Sequence, residues 1–398
     1  MINYTTASDI LGKCSKCNQD NTGRNWCHPC NIKRLQNEFD KWTSENKEID
    51  EFIQQTQLNA NKRQEIIEWI PFDKLENVTY LDKGGLAQSQ KQDVCLKSLD
   101  NSINKNRFLQ EIKNQLKFRG KNAIFIYGIT KNPTKNEYMM VMNYAECGSL
   151  RNLLNNKFEE LTWKKKSDIL STIVNGLTNI HEMDLIHKDL HSGNIVNQTL
   201  TLCFITDFGL CKPVSENDPE KIYGVIPYVA PETLSRGKYT QSSDIYSFGM
   251  VMLEVLTSYP PYYNIPHNAN LVMDICKGFK PEIKCKIPQF FKEIMEKCWN
   301  FEPLNRPTAK ELKSRLDEYF YGGEIRKQVK AANKSNKNFI KYGPGEMHPE
   351  AIYTSRLIPK FTTTTPEYDT FNSRQQFFSI PDNIIVEDEE NETQEMEC

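Results

Sequence analysis

With 398 residues, 26% of them charged, and a formal net charge of −2, the chain is long enough to bury a sizeable core. Its length suits roughly two to three average domains, or one two-lobed domain with additions. The near-balance of charge excludes a global pull toward nucleic acid or anionic membrane, and the sequence contains no apolar run of the roughly 18 residues that a membrane helix requires.

The start MINYTTASDILGKC has neither the basic n-region nor the apolar h-region of a signal peptide. The expectation is a soluble intracellular protein, cytoplasmic with the nucleus as alternative. Twelve cysteines raise the question of disulfides. Their placement argues against them: most are scattered along the chain as small buried hydrophobes, while Cys14, Cys17, Cys27 and Cys30 cluster near the N-terminus.

Those four form two C-x2-C pairs separated by nine residues, CSKCNQDNTGRNWCHPC. Each pair can wrap one side of a tetrahedral ion, and four thiolates suit Zn²⁺. Gly23 and the Asn-rich stretch between the pairs supply the turn. The favoured role for residues 1–35 is a structural clip in which zinc replaces a core too small to fold unaided; the alternative is a partner or nucleic-acid module. Lys13, Lys16, Arg24, Lys33 and Arg34 give charge without interleaved aromatics, so nucleic acid is the weaker reading. His28, inside the second pair, is expected to face solvent rather than the metal.

Residues 36–71 are polar and charged, with Trp42 and Trp69 as punctuation. Ile49, Phe52, Ile53 and Leu58 recur at roughly helical spacing. The stretch is either a short helix packed on the domain that begins at Phe72 or a linker.

From Phe72 the patterning changes. VTYLDKGGLAQSQ reads as a strand and a glycine turn. VCLK is a strand with Val94 and Leu96 on one face and Cys95 and Lys97 on the other. RFLQEIKNQLKF is an amphipathic helix through Phe108, Leu109, Ile112 and Leu116, and it carries Glu111. Residues 123–128 and 138–144 read as strands joined by the NPTKN hairpin, and Gly148 turns the chain into a helix over 149–154. IHKDLHSGNIV and FITDFG come next, placing Asp189, Asn194 and Asp207 at the ends of apolar strand-like runs. YVAPE, SSDIYSFGMVMLEVL and LNRPTAKEL complete the series. In this order and spacing the segments resemble those of the protein kinases over residues 72–320.

The resemblance implies an α+β, bilobal kinase fold, with a small β-rich lobe and a larger helical lobe, preceded by the zinc module. It implies ATP and Mg²⁺ as cofactors. Phosphoryl transfer needs positioning and charge neutralisation more than covalent help, which explains the residue types. Asp189 would accept the substrate hydroxyl proton, and Asn194 and Asp207 would hold Mg²⁺ through hard oxygen ligands. Lys97 would hold the phosphates and pair with Glu111. Met142 falls at the gatekeeper, Asn143, Tyr144 and Ala145 at the adenine hinge, and Val196 beneath the adenine ring; each reads equally as a plain core residue. Glu232 would pair with Arg306, and Asp244 would brace the catalytic loop.

Several positions depart from the family. The G-x-G-x-x-G pattern with its following Val finds Asp82, Gly84, Ala87 and Ser89, so only Gly84, with Gly85 beside it, matches. Only eleven residues separate Gly85 from Lys97, short for a turn, a strand and another turn. Some pairing near 88–91 is still required, because antiparallel neighbours alternate direction and Lys97 would otherwise be misdirected.

Lys188 replaces the usual Arg, and an ammonium cannot make the planar bidentate contact of guanidinium to phosphate. His191, Ser192 and Gly193 look most like the tyrosine-kinase-like group of serine/threonine enzymes, while Val225 leaves the hydroxyl preference open. Ser215 and Tyr223 are phospho-acceptor candidates. Residues 321–398, with basic spots, a Gly343–Gly345 GPG turn, a threonine run and an acidic end, read as a disordered tail. The expected activity is a protein kinase. Its rival is a pseudokinase scaffold with a degraded glycine loop; neither the substrate protein nor the oligomeric state is legible.

Overall fold

Apolar central strands form a six-stranded sheet in the computed structural model, in spatial order β1 (Glu68–Trp69), β5 (Ile126–Asn132), β6 (Glu137–Asn143), β4 (Gln92–Ser98), β3 (Gly84–Ser89) and β2 (Glu76–Leu81). Residues 11–81, 84–89, 92–98, 105–118, 123–215, 221–320 and 322–359 are described. Asp82 and the threonine-rich and acidic end beyond 359 lie outside them.

The cysteine loop leads into α1 (His28–Gln36). The helix α2 (Lys47–Leu58) is capped by Asn46, whose side chain accepts from the amides of Glu48 and Ile49 at 3.1 and 3.3 Å. It buries Ile49 and Ile53 among Ile67, Phe108, Ile112, Ile126, Ile129 and Met140. The stretch 36–71 is therefore built into the small lobe. It adds a strand that the sequence did not announce, β1 (Glu68–Trp69), parallel to β5 (Ile126–Asn132). Gly128 makes that contact possible: a Cβ there would sit 1.9 Å from the Glu68 carbonyl oxygen.

The strands β2 (Glu76–Leu81), β3 (Gly84–Ser89) and β4 (Gln92–Ser98) form a continuous antiparallel meander. The required second strand survives whole. Gly84 and Gly85, expected in the turn, lie instead in β3, opposite Lys97 and Leu96. The correction has a simple cause. With so few residues available, the ladder is extended back to Gly84 at the expense of the expected turn. Val94 and Leu96 are buried with Leu75, Met139 and Val141, as alternation demands.

The helix α3 (Lys105–Lys117) packs beneath the sheet. The hairpin falls at 133–136 as expected, but its strands are β5 and β6 (Glu137–Asn143), so the first begins later than 123. Asn132 accepts from the amides of Thr134 and Lys135 at 2.9 and 3.2 Å, which closes the turn.

The second lobe is helical. Ser149 caps α4 (Leu150–Lys157), and Thr162 caps α5 (Trp163–His181). Short strands come after them: β7 (Leu185–Ile186), β8 (Ile195–Asn197), β9 (Cys203–Ile205), β10 (Lys212–Pro213) and β11 (Ile222–Gly224). Then come α6 (Pro231–Arg236), α7 (Gln241–Thr257), α8 (Ala269–Cys276), α9 (Gln289–Cys298) and α10 (Ala309–Asp317). The helix α7 is buried from Ser243 to Thr257 and forms the centre of the large core. Its own cap is the Thr240–Ser243 box.

The expected disorder beyond 320 does not hold for residues 322–359. The helix α11 (Gly323–Ser335) buries Ile325 and Ala332 in the large core, and Asn333 accepts from the Trp163 indole at 2.7 Å. The chain then runs back to β12 (Arg356–Ile358), which pairs antiparallel with β11. Widely spaced anchors give a polar segment an ordered path that its average composition conceals. Among the described residues no helix is long and apolar enough to cross a membrane.

Candidate active site

Strand alternation on β4 turns Lys97 away from the Val94 and Leu96 face and toward α3. Its Nζ lies 2.6 Å from Glu111 Oε1 and 3.3 Å from Asp207 Oδ1. Burial alone would lower the Lys97 ammonium, but Asp207 and Glu111 outweigh it and raise it above its ordinary value. Burial likewise pushes the Asp207 carboxyl upward, and Lys97 overrides that to hold it below the usual carboxylate range. Asn114, one helical turn after Glu111, donates to the carbonyls of Phe208 and Cys211 at 3.3 and 3.1 Å. The orientation of α3 and the position of Asp207 are thereby linked.

The segment after β7 places Asp189 on a loop fixed from below. Asp244 on α7 accepts from the amides of His187 and Lys188 at 2.8 and 3.0 Å and contacts His181 Nε2 at 3.0 Å. His187, fully buried, uses Nε2 on the Thr206 carbonyl at 3.0 Å and Nδ1 on the Asp189 amide at 3.3 Å. The Asn194 side-chain amide donates to both the carbonyl and Oδ2 of Asp189, each at 3.0 Å. The Asn194 carbonyl in turn accepts from the amide and hydroxyl of Thr206, the residue before Asp207, at 2.8 and 3.0 Å. Asp207 itself adopts φ +66°, and Phe208 behind it stacks on Phe118 with ring centroids 4.8 Å apart.

The residues that the resemblance assigns to the adenine cleft lie at the end of β6, just after it, and on β8. Met142 and Ala145 are buried, and Val196 packs against the same cluster. The Asn143 amide donates to the Phe125 carbonyl at 2.8 Å, and its side chain donates to Gln198 at 2.8 Å. Backbone bonds between Cys147 and Asn197 and between Asn197 and Gly148 hold residues 147–148 against β8. Gly84 and Gly85 approach the cleft only as part of the ladder beside Lys97.

Arg306 pairs bidentately with Glu232, at 2.6 and 2.8 Å. Lys188 lies 4.9 Å from the Tyr239 ring, and the Tyr239 hydroxyl bonds both the amide and carbonyl of Tyr223. Ser215 is exposed and Tyr223 sits in β11. Sequence reasoning missed Arg151. Its guanidinium reaches Ser192 Oγ at 2.8 Å, the Tyr228 hydroxyl at 2.7 Å and Glu254 at 3.2 Å. His191 lies 3.7 Å from Asp189 Oδ1, and its Nδ1 accepts from the Gly193 amide.

Near the N-terminus, the sulfurs of Cys14, Cys17, Cys27 and Cys30 all lie within 4.8 Å of one another. Cys14 and Cys30 are 3.9 Å apart, Cys17 and Cys27 3.4 Å. Tetrahedral zinc with bonds of ~2.3 Å separates its sulfurs by ~3.8 Å, so the donor set fits the ion. Amides of Lys16 and then Cys17 hold the Cys14 thiol down to about 6. His28 is neither ligand nor solvent-facing: its Nδ1 lies 3.0 Å from the Ala60 carbonyl, which also accepts from the Trp26 indole at 3.3 Å. A fixed docking partner, not visible in local spacing, claims it.

A β-sheet lobe and a helical lobe, with Lys97 paired to Glu111 and Asp207 and with Asn194 bonded to Asp189, define an α+β, two-lobed class of protein. The chain belongs to the family described as protein tyrosine and serine/threonine kinase, which matches residues 74–316. Two relatives are similar over the same region. A probable serine/threonine-protein kinase of Dictyostelium discoideum is 29% identical over 241 residues, covering 58% of this chain and 18% of the relative. A candidate serine/threonine-protein kinase/receptor of Acanthamoeba polyphaga mimivirus is 29% identical over 267 residues, covering 62% of this chain and 16% of the relative. The chain thus spans under a fifth of the length of these curated relatives.

Proposed function

We propose that the chain transfers the γ-phosphoryl of ATP to serine or threonine hydroxyls of proteins in intracellular signalling, as an enzyme of the tyrosine-kinase-like group. The observation that carries this reading is the Lys97–Glu111 pair, formed at 2.6 Å while Asp207 stands 3.3 Å from the same ammonium. Such a pair is what the active state of a kinase requires.

Asp189 orients the acceptor hydroxyl and takes its proton as the oxygen attacks the γ-phosphorus. The bond from that phosphorus to the bridging oxygen breaks, and ADP leaves with the electron pair. Lys97 steadies the phosphates, and Gly84 and Gly85 let the β3 backbone come close to them. Met142, Asn143, Ala145 and Val196 enclose the adenine. Asn194 Oδ1 and Asp207 would hold Mg²⁺, which when bound neutralises charge on the phosphates. Asn194 also keeps the Asp189 carboxylate turned by its 3.0 Å bond. The four thiolates of Cys14, Cys17, Cys27 and Cys30 would hold a structural zinc.

One observation favours the rival scaffold: Gly84 and Gly85, expected to turn over the phosphates, are instead paired in β3 opposite Lys97 and Leu96. The test is Mg²⁺-dependent transfer of labelled γ-phosphate to the chain itself and to casein, with Asp189→Asn as control. Loss of a general base costs about 10²- to 10⁴-fold, so transfer should fall by that factor in the variant. Equal silence from both folded proteins would leave the scaffold as the function.

A further inference from the structure

The strand β11, which lies between Asp207 and Glu232, is already paired. Gly224 of β11 faces Arg356 of β12, Tyr223 faces Leu357, and Ile222 faces Ile358. Gly224, at φ +141°, presses close to the proposed base: a Cβ on it would lie 3.5 Å from Asp189 Oδ1. Any polypeptide that brings a hydroxyl to Asp189 must pass this point, and adding a strand to an open edge is the simplest way to hold it there. The backbone of Tyr223 is spent on the Tyr239 hydroxyl, at 3.0 and 2.7 Å. The edge carrying Ile222 and Gly224 is the one left open, and β12 takes it.

We infer that residues 348–358 are an internal occupant of the acceptor-peptide groove, so that the chain excludes outside protein substrates until this segment leaves. The inference rests on the kinase reading for its meaning and on contacts for its geometry.

Upstream of β12 the segment is anchored by specific contacts. The Tyr353 ring lies 4.2 Å from the Arg151 guanidinium, and its hydroxyl donates to the Pro261 carbonyl at 2.9 Å. Arg151 is the residue that holds Ser192 in the catalytic loop. The His267 amide donates to Glu350, and the Ile352 amide donates to His267 Nδ1 at 3.0 Å. Arg356 reaches the His267 carbonyl at 2.9 Å. The anchors therefore sit against Arg151, which holds Ser192, and against Gly224, which abuts Asp189, and Thr354 and Ser355 between them are exposed.

The contacts are mostly polar and backbone-mediated, and Leu357 is 52% exposed. To leave, the strand must uncover two buried apolar residues, Ala351 and Ile358, and the partly buried Tyr353 that packs on the large core. Being tethered, it competes at an effective concentration on the order of millimolar, so weak docking is enough to block external substrates.

Two full-length variants test this. Arg356→Pro removes the amide opposite Gly224 and the contact to His267; Tyr353→Ala removes the stack on Arg151. Amide hydrogen exchange at residues 222–224 and Mg²⁺-dependent transfer to casein are both measured. Released variants should exchange about tenfold faster at 222–224, and their KM for casein should fall several-fold with kcat little changed. A synthetic peptide of residues 347–359, added in trans, should restore protection and raise KM again.

Folded variants with unchanged exchange and unchanged KM would overturn the inference. If no protein transfers phosphate yet the peptide still protects Ile222 and Gly224, the occupant stands and the enzyme reading falls instead.

Discussion

Lys97 touches two carboxylates, and the resulting charge balance has a measurable sign. The Asp207 carboxyl is held below its ordinary value by Lys97 against the upward push of burial. A carboxyl lowered in the folded state contributes stability above its unfolded pKa of about 4 and loses it as pH falls through the folded value. Lys97 is raised, so its contribution is complete at neutral pH and is lost only in alkali, as pH rises through its folded value. Lys97→Met should therefore open a stability gap that is largest near neutrality and shrinks below about pH 4. Urea unfolding at the two pH values checks it, and a gap independent of pH would remove the ion pair as an energetic partner. The slope decides, not the sign of the gap at pH 7, because the variant also sheds the desolvation cost of a buried ammonium. Residues of this kind were legible because motif and spacing name them together. Arg151 was not, since its partners Tyr228 and Glu254 lie 77 and 103 positions away and only the packed lobe brings them together.

Whole elements were legible where a period ran long enough to show. The helix carrying Glu111, the strand carrying Lys97 and the buried helix α7 can all be read from apolar spacing. Two residues of strand have no period, so β1 was invisible; its trace in the sequence is Gly128, which looks like an ordinary glycine until the Glu68 carbonyl is placed against it. The glycine loop failed for a related reason. Length told us that something was missing, and chain direction told us that the second strand must survive, but neither said that the turn itself would be sacrificed. Gly128 makes the account of β1 testable. An added methyl would overlap the Glu68 carbonyl, and backbone cannot yield as a long side chain can, so β1 must detach or β5 must shift. Gly128→Ala should destabilise the small lobe by about 1–3 kcal/mol, the usual cost of overpacking. It should also speed exchange of the Ile70 amide, which now donates to the Ile129 carbonyl at 2.9 Å. Normal protection at Ile70 in the variant would show that β1 does not depend on this close approach.

At the scale of the whole molecule, the cysteine module and the small lobe share structure. Thr22, Trp26 and His28 bond to the carbonyls of Ala60 and Asn61, and Trp26, Leu35, Ala60 and Ile66 form one small core. The same stretch leads directly into β1, so the module is tied to the outer edge of the sheet through a few residues of chain. The helix α2 is held by the small-lobe core through Ile49 and Ile53, but the cysteine loop before α1 buries little beyond Trp26 and Cys27, so its folding free energy must come largely from elsewhere. Structural zinc commonly supplies folding free energy to such small loops. One zinc per chain is therefore expected by elemental analysis, and Cys17→Ser with Cys30→Ser should abolish it. Removing the metal with a chelator should expose amides of residues 14–66 to exchange, then those of β1, while α7 in the large core stays protected. A metal-free chain with the same protection over 14–66 would mean that the four thiols are a packing cluster and that the module stands on its contacts with Ala60 alone.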